Sequence, residues 1–83
     1  MTVRVGDIVV LDRLPPWVTR LPSESQAVFE SCVGRAYPLV EIDEQGLYVL
    51  DVSADVDAAF GGRFNDIRVE EAYLRLASSK SAG

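Results

Sequence analysis

Histidine is absent from this 83-residue sequence, and cysteine, tryptophan and methionine occur once each. Each shortage removes a class of function. Without histidine there is no Ser–His or Cys–His pair and no imidazole base poised near neutral pH. A lone cysteine, Cys32, can close no internal disulfide and cannot by itself hold a structural zinc. Apolar runs are only a few residues long, against the roughly 20 that a membrane-spanning helix needs. The start, Met1 to Asp7, lacks the charged opening and apolar run of a secretory signal. The expected setting is cytoplasmic, with a free thiol and no membrane contact.

Basic residues are scarce in the middle of the chain. None lies between Arg35 and Arg63, whereas Glu41, Asp43, Glu44, Asp51, Asp55 and Asp57 do. Eight Lys+Arg against thirteen Asp+Glu give a net charge of −5. That stretch repels a phosphate backbone and reads as a solvated face that keeps a small protein soluble. The seven arginines are scattered, and aromatics are too few for a stacking platform. We expect no nucleic-acid partner, no cofactor and no small-molecule ligand.

What is present is a core. Hydrophobic residues make up 48% of the chain, enough for one domain. A chain this short buries only about 60% of its unfolded surface, so the margin of stability is thin. Val3 to Asp12 reads as a first strand, with a bend at Gly6-Asp7. Pro15-Pro16-Trp17 interrupts the pattern, because paired prolines exclude helix and central strand. A helix over residues 23–33 follows. Ser23 and Gln26 have capping-box spacing, Val28, Phe29, Cys32 and Val33 form one apolar stripe, and Gly34 is placed to stop it.

Ala36 to Asp43 reads as a second strand, with Ala36, Pro38, Val40 and Ile42 on the core side. Glu44-Gln45-Gly46 makes a tight turn into a third strand, Leu47 to Val52. Ser53 to Gly62 reads as a polar loop, with a helical turn at Asp55 to Phe60. Arg63 to Val69 reads as a fourth strand, Glu70-Glu71-Ala72 as a short turn, and Tyr73 to Leu76 as a fifth strand. Residues 1–77 form the expected domain, and 78–83 a flexible polar tail. Five short strands and one inserted helix predict a mainly β fold, a small closed barrel that leaves no exposed sheet edge.

Val5-Gly6-Asp7-Ile8-Val9-Val10, the run Val33-Gly34-Arg35-Ala36-Tyr37-Pro38-Leu39-Val40-Glu41-Ile42-Asp43 with Gly46, and Ile67-Arg68-Val69 leading to Tyr73-Leu74-Arg75-Leu76 together resemble the SH3-like small barrels of bacteria. Their plan is "GD-x-V", a long loop, "VG-x-x-Y-x-V-x-x-I-D-x-x-G" and a terminal "L-x-L" after a short turn. The resemblance spans residues 3 to 76 and implies a five-stranded barrel with the helix in its first long loop. It does not by itself imply a function. Some such barrels associate with nucleic acid, which is the alternative reading here. Type II dihydrofolate reductases share the class as tetramers, and their catalytic pore uses a V-Q-I-Y stretch. The corresponding Asp66-Ile67-Arg68-Val69 lacks the Gln and the Tyr.

No catalytic or metal-binding set emerges. Cys32 lies on the apolar stripe and reads as a small buried hydrophobe. Asp43/Glu44 and Glu70/Glu71 are adjacent acids in turns, read as solvated. Asp55-Val56-Asp57 with Gly61-Gly62 lacks the ligand spacing and closing Glu of a calcium loop. The remaining candidate is a protein-binding surface, for a partner or a second copy of this chain. Tyr37, Leu39, Leu47 and Val49 alternate with the residues assigned to the core, and Trp17 sits in the Pro-rich loop. Either the inserted helix covers these five residues, or they form an interface.

Overall fold

A computed structural model describes residues 3–53 and 66–78. Ordered along the chain are strand β1 (Ile8–Leu11), a 3-10 turn (Pro16–Arg20), helix α1 (Ser23–Cys32) and strands β2 (Ala36–Ile42) and β3 (Tyr48–Asp51). Strand β4 (Asp66–Val69), a second 3-10 turn (Glu71–Tyr73) and strand β5 (Leu74–Ser78) complete it. The strands form one antiparallel sheet in the order β4-β3-β2-β1-β5. The fold is mainly β with a single α-helix among the described residues. No pairing joins β4 to β5, so the sheet is open there, where full closure was expected. The helical turn expected at Asp55 to Phe60, the first residues of the expected fourth strand and most of the expected tail lie outside the described residues. Ser78, assigned to that tail, belongs to β5.

Local chemistry sets the turns. Before β1, the N–H of Asp7 bonds to the carbonyl of Arg4, and the Asp7 carboxylate accepts from the N–H of Arg4 at 2.8 Å. Gly6 supplies the positive φ of 99° that this turn requires. The same turn is tied to β2, because the N–H of Gly6 donates to the carbonyl of Leu39. The β2–β3 hairpin closes on Asp43, whose Oδ1 accepts from the N–H groups of Gln45 and Leu47.

Helix α1 follows its apolar stripe. Val28, Phe29 and Cys32 enter the core cluster with Val9, Leu11, Leu39, Leu50, Val52, Ile67 and Val69. Its start differs from the capping-box expectation. Pro22 occupies the N-cap and no side chain caps the helix, so Ser23 is the first helical residue. The Gln26 amide instead donates to the carbonyls of Leu21 at 2.7 Å and Thr19 at 3.2 Å, fastening the loop to the helix. At the far end Gly34 takes φ 82°, and its N–H bonds to the carbonyl of Leu11. The helix is thereby anchored to the preceding loop at one end and to β1 at the other.

The faces of β2 are the reverse of the alternation read from sequence. Tyr37 and Leu39 are buried, and Ala36, Pro38, Val40 and Ile42 are exposed. The cause is a register shift. Leu39 pairs with Leu50, but Glu41 pairs with Val49, so three residues of β2 oppose two of β3 and Val40 is extra. A strand with such an irregularity has no single period of two. A second shift lies between Ile8 and Val9 against β5.

Candidate functional site

Order in the sheet leaves β4 at an edge, and the inserted loop lies alongside it. Between them runs an open groove of about 310 Å³, lined by Trp17, Leu21, Ser25, Val28 and Phe29 on one side and Asp66, Ile67 and Arg68 on the other. Three consecutive β4 residues line it, so the groove follows the strand's edge, not one pleated face. The loop side is apolar apart from Ser25. Trp17 and Phe29 meet edge-to-face, with ring centroids 5.5 Å apart and planes at 86°, a favoured aromatic geometry.

Trp17 is held from two directions. Its ring packs on the core cluster, and its Nε1–H donates to both carboxylate oxygens of Glu70, at 2.9 and 3.2 Å. The neighbouring Glu71 accepts a hydrogen bond from Tyr48, and burial, followed by the Glu71 charge and that bond, raises the Tyr48 hydroxyl above its ordinary pKa. These acids had read as a solvated pair. They instead fasten an aromatic ring of the first loop and another of β3 to the turn before β5. An acid pair in a turn carries no sequence mark of partners more than 20 residues away.

The other expected interface residues are placed differently. Tyr37, Leu39 and Val49 are buried, Tyr37 and Leu39 inside the core cluster and Val49 of β3 outside it, across the ladder from Arg68. Leu47 is half-buried in the hairpin turn. Trp17 alone of the five reaches the groove. Leu21, Val28, Phe29 and Ile67 complete it, and sequence reasoning had assigned the middle two simply to the helix stripe. Among the described residues the exposed large hydrophobics are Val5, Leu14, Val33, Val40 and Ile42.

A second recess, about 290 Å³, is lined by Glu41, Asp43, Glu44, Gln45 and Arg68. Arg68 bonds Asp43 Oδ2 at 3.2 Å. The N–H of Leu47, with those of Gln45 and the Arg68 guanidinium, holds the Asp43 carboxyl below its ordinary range against an opposing push from burial. Each contact stabilises the hairpin itself. Among the described residues no cluster of three or more His, Cys, Asp or Glu could hold a metal ion, and Cys32 is buried. Nor is any helix there long and apolar enough to cross a membrane. Comparison of the chain with protein-family models, with curated proteins and with solved structures returns no match.

Proposed function

We propose that this protein is an SH3-like small barrel acting as a non-catalytic interaction module, and that it engages protein through the groove between α1 and β4. The fold part of this reading is supported by the strand order, by the 3-10 turn between β4 and β5, and by the helix-bearing first connection. The register shifts, with extra residues Val40 in β2 and Ala77 in β5, supply bends by which a short sheet can curl around one core.

The observation that carries the functional part is the groove's composition. Trp17, Leu21, Val28 and Phe29 present apolar surface beside a strand edge, with one acid and one base on its far wall. Such a wall suits an apolar side chain carried on peptide backbone. Apolar concavity without a titratable constellation suits binding better than turnover.

A photo-crosslinking residue at the Ser25 position of the full chain, expressed in its native host, tests this. One discrete protein adduct is expected, lost in Trp17→Ala, with none when the same group stands at Gln45 in the hairpin turn. Absence of any adduct from Ser25 would remove the reading.

A further inference from the structure

Among the described residues β4 is hydrogen-bonded to β3 alone, with Tyr48, Val49, Leu50 and Asp51 opposite Val69, Arg68, Ile67 and Asp66. Alternate N–H and C=O groups of an antiparallel edge strand point away from its only neighbour. Such edges are blunted by proline, bulges or charge, because they otherwise recruit another strand. Strand β4 has no proline and keeps a regular register with β3. Its two charges, Asp66 and Arg68, are exposed and lie two residues apart, so they share one face of the strand.

That spacing makes the strand complementary to itself. In an antiparallel pair related by a two-fold axis at Ile67, Asp66 of each copy stands opposite Arg68 of the other, and the Ile67 residues face each other. Both charge pairs are then attractive, each Arg68 turning from Asp43 or bridging the two carboxylates, and opposite charges directly across a ladder stabilise it. The neighbouring registers that two-fold symmetry allows instead set Asp66 opposite Asp66 or Arg68 opposite Arg68, bringing like charges together. The apolar face agrees with this register. Ile67 already lines the groove with Trp17, Leu21 and Phe29, so a strand laid beside β4 brings its own Ile67 to the same wall.

We infer that the occupant of the groove is a second copy of this chain, joined by antiparallel β4–β4 pairing across a two-fold axis. This rests on the interaction-module reading and names its partner. The contact is isologous, so it closes on itself as a dimer and propagates no filament. Both five-stranded sheets become one continuous sheet through the pair of β4 strands.

Sedimentation equilibrium of the full chain tests the pairing. The wild type is expected to dimerise at about 100 µM, and Asp66→Arg to weaken the dimer roughly tenfold or more by setting like charges opposite each other twice. Arg68→Asp does the same with acids but also breaks the bond to Asp43, so its mixture with the first variant is the deciding comparison. An equimolar mixture of the two variants restores opposite charges at both positions and should recover the mass of a dimer. Amide exchange of wild-type β4, slowing as concentration rises, gives a readout that needs no variant to fold. A wild type that stays monomeric, or an Asp66→Arg variant that dimerises as tightly as the wild type, overturns the inference. Should the wild type be monomeric while Ser25 crosslinks to a different protein, the β4 pairing falls and the module reading stands.

Discussion

Leu39 and Val40 are neighbours in sequence and should respond in opposite ways to the same substitution. Leu39 is 0% exposed and Val40 is 47% exposed. Leu39→Glu forfeits the burial of a leucine side chain, about 1.5–3 kcal/mol. It also places a carboxyl among Tyr37, Leu50 and Val69, where an unpaired polar group costs a further 1–3 kcal/mol or so by protein mutational data, and more if it is charged. The sum is about 3–6 kcal/mol. The whole domain should hold roughly 4–12 kcal/mol, from about 0.05–0.15 per residue. Leu39→Glu should therefore lose a large part of that stability, and its urea midpoint should fall well below that of the wild type. Val40→Glu replaces an exposed, extra residue of a bulge and should change stability by less than about 1 kcal/mol. Urea titration followed by the fluorescence of Trp17, with far-UV circular dichroism as a second probe, reads both. Equal losses in the two variants, or a Leu39→Glu as stable as the wild type, would show that the register shift between Leu39 and Glu41 is misplaced and that Leu39 faces outward.

Ser23→Ala should alter the denaturation midpoint negligibly, because Ser23 caps nothing, whereas Gln26→Ala should cost about 1 kcal/mol through its two bonds to loop carbonyls; a larger loss from Ser23→Ala would restore the capping box. The Asp43 carboxyl is held below its ordinary pKa of 3.8, so its contribution is present above that value and is lost as pH falls through the depressed one. Asp43→Asn should flatten the acid limb of stability measured by urea midpoints below about pH 4, leaving the slope due to Asp51, which the Ser53 hydroxyl and N–H depress likewise; an unchanged acid limb would refute the Asp43 contribution.

Local signals proved legible where one residue decides the outcome. The helix occupies 23–32, one residue short of the expected span, because its apolar stripe and the left-handed Gly34 are both local. The turns at Gly6 and Gly46 were readable for the same reason. The facing of β2 was not. Val40 has nothing in its chemistry to mark it as the extra residue of a bulge, and one such residue exchanges the faces on either side. The Trp17–Glu70 and Tyr48–Glu71 contacts were equally hidden, since they join elements that meet only after the sheet is assembled.

Strands β1, β2 and β3 each carry apolar residues on both faces, a composition that suggests surplus surface awaiting a partner. The structure accounts for part of it within the chain. Val10 and Val49 are buried, yet neither belongs to the core cluster. Each stands directly across the ladder from an arginine, Val10 from Arg75 and Val49 from Arg68, and those guanidinium groups reach on to Asp12 and Asp43. The aliphatic stem of an arginine can lie over a small neighbour while its head group stays in water. A valine on the outer face of this sheet is therefore weak evidence for a partner. An edge is stronger evidence, because the outward N–H and C=O groups of β4 have no strand partner among the described residues and are open to pairing. Edge position is a property of strand order and leaves no trace in composition. The four residues of β4, two of them charged, make a weak strand signal in the sequence. They acquire significance only when the sheet sets them last, beside a groove that Trp17 and Phe29 keep apolar.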